Sequence, residues 1–152
     1  NKENIKLIIA GEFYSKKEKY INLINQLKIN SRIVLDSNFI SDNKVRDYFC
    51  VSDLLIQTYR SGSQSGVTSK AYFYETPILV SDINGLKEQI VKENTGGITK
   101  LNYDKISKKI IYCLNKENQK KFILNIKKNK LKYNWDIFSK KLIESSNKKN
   151  HD

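Results

Sequence analysis

Short apolar runs alternate along this chain with segments whose apolar residues recur at helical spacing. The first run, Ile5–Gly11, reads IKLIIAG and ends in glycine, which is typical of a strand buried on both faces of a parallel sheet. The segment after it places Tyr20, Leu23 and Leu27 on one side of a helix. A strand followed by a helix is the repeating unit of an α/β fold, so the start of the chain favours that class.

The same alternation continues toward the C-terminus. Four further segments have the length and composition of strands: Ile33–Leu35, Asp53–Tyr59, Ile78–Asp82 and Gly96–Lys100. Helical spacing lies between and after them, in a segment with Ser41 as a candidate N-cap, in Ser65–Tyr74, in 85–94 and in the rest of the chain as far as Glu144. Strands joined by helix-length crossovers predict a Rossmann-like, doubly wound parallel sheet with C-terminal helices. We expect a single domain over residues 1–144 and a polar tail over 145–152.

The chain carries a net charge of +12, and nearly all of it comes from lysine. Arginine appears only at Arg32, Arg46 and Arg60, whereas lysines cluster after Lys100 among apolar residues at helical spacing. We interpret this pattern as the solvated faces of amphipathic helices. A basic surface toward an anionic membrane is one alternative. Nucleic acid is another, but a dedicated nucleic-acid binder would use more arginine.

Several kinds of site find no support in the sequence. His151 is the only histidine and lies in the tail, so neither a histidine-based triad nor a zinc site is predicted. Cys50 and Cys113 stand apart in apolar surroundings, which favours buried free thiols. No GxGxxG or Walker motif occurs. No apolar run approaches the roughly 20 residues of a membrane span and no signal peptide is visible, so we expect the protein in the cytoplasm.

Small hydroxyl residues and glycine collect between the third strand and its helix. Ligands of a doubly wound sheet bind beyond the carboxyl ends of the strands, where this loop lies. Ser65 and Gly66 would open the helix, whose unpaired N–H groups favour an anion such as phosphate. Ser63 and Thr68 add hydroxyls, and Lys70 adds a cation one turn further. The alternative is that Ser65 is only an N-cap and Gly66 only a packing glycine.

A second small-residue loop, SDINGLKE, follows the next strand. Asn84 and Gly85 predict a tight turn there, and Gly85 could present its amide to a ligand, with Glu88 in the helical turn that follows. The carboxyl ends of parallel strands share one sheet edge. The two loops together therefore make a binding pocket more credible than either loop alone.

Four ordered pieces of the sequence resemble a known family. They read LIIAGE, YFCVSDLLIQTY, SQSGVTSKAYFYETPILVSDINGLKE and NTGGI, within a stretch of about Ile5–Trp135. In order and spacing they resemble the C-terminal, nucleotide-sugar-binding domain of family 4 (group 1) glycosyltransferases, which have the two-domain GT-B fold. The resemblance implies that the chain is the C-terminal half of a GT-B fold and that an N-terminal acceptor-binding domain is missing from it.

The resemblance also implies roles for individual residues. The glycine turn after the first strand falls on Gly11, and the ribose position falls on Lys70. The loop beside the nucleotide base corresponds to Asn38, Phe39 and Ile40. The donor diphosphate and sugar would be held by residues of the two loops: Ser63, Gln64, Ser65, Gly66, Val67, Gly85 and Glu88. The family usually has two glutamates eight positions apart where this chain has Gly62 and Lys70, and the chain is similar to a branch with QSG followed by AY and a proline.

The activity that the resemblance implies is retaining, hexosyltransferase-like transfer of a sugar from a nucleoside diphosphate sugar to an acceptor hydroxyl. Bacterial polysaccharide, lipopolysaccharide or capsule synthesis is the expected setting, at the inner face of the membrane and with a lipid-linked acceptor as one candidate partner. Neither a metal nor a cofactor is expected, catalytic residues are not assigned, and the fragment alone is expected to be inactive. The alternatives are a nucleotide-sugar epimerase fragment, a free-standing basic Rossmann-like module that binds nucleic acid or an anionic membrane, and a structural or regulatory domain whose site has decayed, to which Lys70 at the ribose position points.

Overall fold

The computed structural model describes residues 5–62 and 65–131, together with Ser139 and Ile143. The chain divides into two compact units, Asn1–Tyr48 and Phe49–Asp152. The expectation of one domain over residues 1–144 stays a prediction, and the predicted tail lies outside the described residues. Among the described residues, no helix is both long enough and apolar enough to cross a membrane.

The first unit contains two parallel strands. Its elements are β1 (Leu7–Ala10), α1 (Glu18–Gln26), a 3₁₀ turn (Asn30–Arg32), β2 (Ile33–Asp36) and most of α2 (Asp42–Val51). Leu7 of β1 lies opposite Ile33 of β2. Sequence analysis predicted that β1 is buried on both faces, but Leu7 is 41% exposed. The reason is that β2 is its one strand neighbour among the described residues.

The second unit is built on a three-stranded parallel sheet. Its elements are β3 (Leu55–Gln57), α3 (Gly66–Phe73), β4 (Ile78–Ser81), α4 (Lys87–Glu93), β5 (Gly96–Thr99), α5 (Tyr103–Leu114) and α6 (Lys116–Lys130). The strand order is β3-β4-β5, so β4 is central and β5 lies at an edge, as the sequence predicted. The mixed α/β class with parallel strands is thereby confirmed.

Helices cover both faces of this sheet. Side chains of a strand alternate between faces, so Ile78 and Val80 of β4 point one way and Leu79 points the other. Ile78 and Val80 pack with buried residues of α3, α4 and α6, whereas Leu79 packs with Cys113 of α5 and Phe122 of α6. All four residues of β4 are buried, which is the environment of a central strand in a doubly wound sheet.

Two adjacent glycines allow the edge strand to approach its neighbours. A Cβ at Gly96 would lie 1.7 Å from the carbonyl oxygen of Ile78, which is backbone and cannot move aside locally. A Cβ at Gly97 would lie 2.5 Å from Cys113 Sγ and 3.0 Å from Lys109 Cδ. The GG pair of the sequence is therefore required by close packing on β4 and α5.

The two cysteines are free, as predicted, but only one of them is buried. Cys113 lies in the core between the sheet and α5 and is fully buried. Cys50 is exposed, so its predicted burial is wrong. On α2 the less exposed positions are Val45, Tyr48 and Phe49, and Cys50 lies outside that side of the helix.

Candidate functional site

The carboxyl ends of β3, β4 and β5 lie along one edge of the sheet, because the three strands are parallel and adjacent. The loops that follow them, at 58–65, 82–86 and 100–102, leave from that edge. The two loops singled out in the sequence follow β3 and β4, which are hydrogen-bonded neighbours. Ser63 and Gln64 lie outside the described residues, and their predicted role stays a prediction.

Gln57, the last residue of β3, organises the start of α3. Its side chain is buried, with 1% of its surface exposed. The Oε1 atom accepts a hydrogen bond from Thr68 Oγ1 at 2.9 Å. The Nε2 atom donates to Ser65 Oγ at 2.7 Å and to Tyr59 Oη at 3.3 Å. One buried amide thus connects the strand, the loop and the first turn of the helix.

Sequence analysis did not single out Gln57. The available signal was a polar residue directly after the apolar run LLI, at the carboxyl end of a predicted strand. A buried amide is costly unless its hydrogen bonds are made, and here both its oxygen and its nitrogen have partners. The position of Gln57 at the strand end is what allows it to reach the helix.

Ser65 occupies the N-cap position of α3 but does not cap it with its side chain. Its backbone is extended, with φ −138° and ψ 122°, and its hydroxyl forms no hydrogen bond to the first turn. That hydroxyl instead accepts from Gln57, while the backbone oxygen of Ser65 accepts from Thr68 N–H at 3.0 Å. Ser65 therefore leaves the N–H groups of Gly66 and Val67 to other acceptors.

Gly66 packs against none of the residues that the structure describes. A Cβ at this position would have no described neighbour within 4 Å, in contrast to the close contacts at Gly96 and Gly97. Of the two interpretations that the sequence left open, the packing role of Gly66 is thus excluded among the described residues. The open space lies at the start of a helix, where the helix dipole favours negative charge. Lys70 lies one turn further along α3 and is exposed.

The end of β4 is fastened to the loop after β3. Ser81 Oγ is buried and donates to the backbone oxygen of Tyr59, and it also lies 3.3 Å from the backbone oxygen of Gln57. The loop that leads toward Ser65 therefore starts from a fixed point. Together with the bonds of Gln57, this contact positions both ends of the described part of the loop.

The loop after β4 forms the tight turn that the sequence predicted. Gly85 has φ +87°, a conformation that glycine adopts without a steric penalty. The Gly85 N–H, which we expected to face a ligand, donates instead to Glu88 Oε2 at 2.5 Å. Beside it, Lys87 forms an ion pair with Asp82 at 2.7 Å, and this hydrogen bond lowers the pKa of the Asp82 carboxyl.

The first unit holds an acidic site of its own at the end of β2. Asp36 accepts hydrogen bonds from Tyr48 Oη at 2.7 Å and from Lys44 Nζ at 3.0 Å. These bonds, that of Tyr48 first, lower the pKa of Asp36 to about 2. Its backbone oxygen accepts from Gly11 N–H at 2.9 Å, and Gly11 has φ +133°. Sequence analysis did not identify this cluster.

The three residues predicted to flank a nucleotide base follow Asp36. Asn38 N–H lies 3.4 Å from Asp36 Oδ1, so the acidic site and this loop are connected. Phe39 is 78% exposed, and Ile40 is half-buried. An exposed phenylalanine ring is available for stacking, but the assignment of these residues to a base stays a prediction.

Comparison with protein families gives one match. Residues 1–132 match the family model described as glycosyl transferases group 1. No curated protein matches the chain.

Several solved structures share the fold. WaaG, a glycosyltransferase involved in lipopolysaccharide biosynthesis, is 19% identical with a TM-score of 0.72, over 90% of this chain and 36% of WaaG. A glycosyltransferase from Rickettsia africae is 19% identical with a TM-score of 0.74, over 93% and 39% of the two chains. HepE from Anabaena, solved in complex with UDP, is 14% identical with a TM-score of 0.73, over 96% of this chain and 42% of HepE. At such identities the likeness shows the fold, a Rossmann-like α/β architecture, and the chain spans about two-fifths of the length of these structures.

Proposed function

This chain belongs to the group 1 glycosyl transferases, and from that membership we propose that its second unit binds the donor, a nucleoside diphosphate sugar. The diphosphate lies at the start of α3, against the amides of Ser65, Gly66 and Val67, with Ser63 and Gln64 completing the loop. HepE, which has a similar fold, has been solved with UDP and with UDP-glucose, and this supports the choice of ligand.

The observation that carries the proposal is the state of the α3 N-terminus. Its N-cap hydroxyl is engaged by Gln57, and no described residue lies within 4 Å of the position of a Cβ on Gly66. The first N–H groups of a helix lack partners within the helix and carry part of the positive end of its dipole. A helix N-terminus with an unused side-chain cap and room for an approaching group is suited to phosphate oxygens.

The same geometry supports a catalytic role. In sugar transfer the bond from the anomeric carbon to the diphosphate breaks, and negative charge grows on the leaving diphosphate. Amides fixed in advance stabilise that charge without reorganisation, and loss of one such donor costs about 10²–10³ in rate in other enzymes. Here Gln57 and Ser81 fix the loop and the helix start. The acceptor oxygen then bonds to the anomeric carbon while its hydroxyl proton passes to the departing diphosphate, in our proposal with retention of configuration.

The second loop has a role on the sugar side of the site. The Gly85 amide donates a hydrogen bond to Glu88. We propose that Glu88 gives up this internal hydrogen bond and accepts one from a hydroxyl of the donor sugar instead. The Gly85 amide would then be free to bind the donor as well. The assignments of Gly11, Asn38, Phe39, Ile40 and Lys70 to the nucleotide stay predictions that rest on the family resemblance.

The wider setting is part of the same proposal. We place the chain in family 4, as the C-terminal half of a GT-B enzyme whose other domain binds the acceptor. Polysaccharide, lipopolysaccharide or capsule synthesis on the cytoplasmic side of the membrane would be its setting, with no metal or other cofactor needed for donor binding. The net charge of +12 would attract the chain to an anionic membrane surface.

The test is calorimetric titration of the chain with UDP, GDP and their sugar nucleotides at low and moderate salt. We expect one nucleotide to bind selectively and to keep most of its affinity when salt is raised. The variant Gly66→Val fills the open space and should lose binding more than tenfold, since a β-branched side chain blocks phosphate approach. Ser69→Val, at an exposed position of the same helix, is the matched control.

Unchanged affinity in Gly66→Val would refute the assignment of this loop. Binding that is weak, indifferent to the nucleotide and steeply reduced by salt would instead favour a basic module of another kind.

A further inference from the structure

A cavity of about 490 Å³ opens at the carboxyl end of β5, and no residue of α3 is among those that line it. Its walls come from the ends of β4 and β5 and from one side of α5. The lining includes an unusual concentration of one residue type. The residues that define this lysine cavity are Lys100, Lys105, Lys108 and Lys109, with Asp82 and Tyr112.

The lysines converge because of helical periodicity. Lys105, Lys108 and Lys109 are three and four residues apart and therefore share one face of α5. Tyr112 continues the same face. Lys100 directly follows β5 and approaches from the sheet edge. Four lysines from two elements thus line one concave surface.

One carboxylate faces the four lysines of this cluster. Asp82, the one acid among the residues that line the cavity, is paired with Lys87 at 2.7 Å and also interacts electrostatically with Lys100, so it cannot balance all four charges. None of the four lysines forms an ion pair with any residue that the structure describes. Like charges held close together repel each other, and a bound anion relieves that repulsion.

One lysine of the cluster is held in place. The stem of Lys109 packs over β5, so close that a Cβ on Gly97 would meet its Cδ at 3.0 Å. Its Nζ atom lies 4.6 Å from the centroid of the Tyr112 ring, within range of a cation–π interaction. Lys109 is half-buried, unlike Lys105 and Lys108, which are exposed. A fixed ammonium group loses less conformational entropy on binding than a mobile one.

We propose that the lysine cavity is a second anion site, which binds the phosphate group of an organic phosphate ester. Lysine serves as a point charge for phosphate, and several ammonium groups can share its oxygens. Ile98 and the ring of Tyr112 add an apolar wall that suits the organic part of an ester. The volume lies within the roughly 300–1,000 Å³ of small-molecule sites. The proposal does not depend on donor binding at α3.

The experiment locates binding by NMR. The ¹⁵N-labelled chain is titrated with phenyl phosphate and, separately, with pyrophosphate, and amide shifts are followed over residues 100–112. We expect saturable shifts in this segment. In Lys105→Gln/Lys108→Gln the affinity should fall about tenfold or more, because two charged contacts to phosphate are lost. Both side chains are exposed, so the fold should tolerate the change.

The matched control is Lys120→Gln/Lys121→Gln, which removes the same charge from exposed positions of α6. If both double variants lose affinity equally, or if shifts spread over all lysine-rich surfaces, the attraction is that of the net charge and the proposal fails. Absence of shifts over 100–112 would overturn it too. Gly66→Val should keep these shifts, and Lys105→Gln/Lys108→Gln should keep selective nucleotide binding, so the two sites are tested separately.

The source of the phosphate is read from a second pair of measurements. Co-sedimentation is measured with vesicles of phosphatidylcholine alone and of phosphatidylcholine mixed with phosphatidylglycerol. Binding to the mixed vesicles that is lost in Lys105→Gln/Lys108→Gln, but kept in the α6 control, identifies a lipid headgroup. Phenyl phosphate binding without such vesicle binding identifies a soluble ester. Both results presuppose the shifts over residues 100–112, and absence of those shifts overturns the phosphate site whatever the vesicles show.

Discussion

Thr68 Oγ1 donates a hydrogen bond of 2.9 Å to Gln57 Oε1, and this buried contact joins the end of β3 to the first turn of α3. The other end of the same amide bonds to Ser65 Oγ at 2.7 Å. Gln57, to which the sequence patterns assigned no role, thereby fixes the helix N-terminus that we assign to the donor diphosphate. Removal of the Gln57 side-chain amide should affect both the stability of the fold and the binding of the donor.

Gln57→Leu should lower the free energy of unfolding by about 1–3 kcal/mol, since it leaves the hydroxyls of Ser65 and Thr68 without their buried partner. Urea denaturation followed by circular dichroism measures this. Gln89→Leu is the control, because Gln89 is half-buried on α4 and no side-chain hydrogen bond is described for it. Equal losses in the two variants would show that the network of Gln57 adds nothing specific.

The pair itself can be isolated by a double-mutant cycle with Thr68→Val. This change keeps the side-chain shape and removes the hydroxyl. If the hydrogen bond stabilises the fold, the losses in free energy of unfolding of the two single variants should add up to about 0.5–1.5 kcal/mol more than the loss in the double variant. Strictly additive changes in the free energy of urea unfolding would show that the contact at 2.9 Å adds no stability.

Gly96→Ala should destabilise the protein by about 1–3 kcal/mol or more, because its Cβ would overlap the carbonyl oxygen of Ile78 at 1.7 Å and force β4 and β5 apart. Gly66→Ala is the natural control, since a Cβ there has no described neighbour within 4 Å. The urea concentration at the midpoint of unfolding is measured for both variants. A Gly96→Ala variant as stable as Gly66→Ala would contradict the close approach of the strands.

The pKa of Asp36 should rise toward its usual value in Tyr48→Phe, because the hydrogen bond from Tyr48 is the largest cause of its depression to about 2. A group whose pKa is lower in the folded state stabilises the fold above its unfolded-state pKa. That stabilisation is lost as the pH falls from about 4 toward 2. Carboxyl NMR titration gives the pKa, and Tyr103→Phe, at a 92% exposed site, is the control.

The two thiols should differ sharply in reactivity. Burial raises the pKa of Cys113 to about 11, so almost no thiolate is present at neutral pH and reagents cannot reach it. Cys50 is exposed on α2. We expect a disulfide reagent to modify Cys50 alone in the native chain and both cysteines in denaturant. Rapid native labelling of Cys113, located by peptide mass, would be incompatible with its burial between β4, α5 and α6.

The order of elements was predictable because periodicity is a local property. Apolar runs and helical spacing predicted the five strands that the structure describes and the helices between them, and Asn84 with Gly85 predicted the turn after β4. Exposure was less predictable. The apolar run at β1 was expected to be buried on both faces, and Cys50 was expected to be buried, because a sequence does not say which neighbours cover a given face.

The candidate site divides in the same way. Ser65 and Gly66 were predictable as a helix start, since capping preferences are set by residues adjacent in sequence. That the hydroxyl of Ser65 is taken by Gln57 was not predictable, because the two residues meet only when β3 and α3 are packed. Nor could spacing alone reveal that Gly85 N–H is occupied by Glu88.

The sequence by itself determined the α/β class, the order of strands and helices, the excess of lysine and the place of the two small-residue loops, because each depends on composition or on neighbours a few positions away. Tertiary structure alone decided which glycines are needed for packing, which hydroxyls are already bonded and which lysines meet in one cavity. These depend on distances between residues far apart in the chain, such as Gly96 and Ile78 or Asp82 and Lys109, and such distances exist only once strands pair and helices pack.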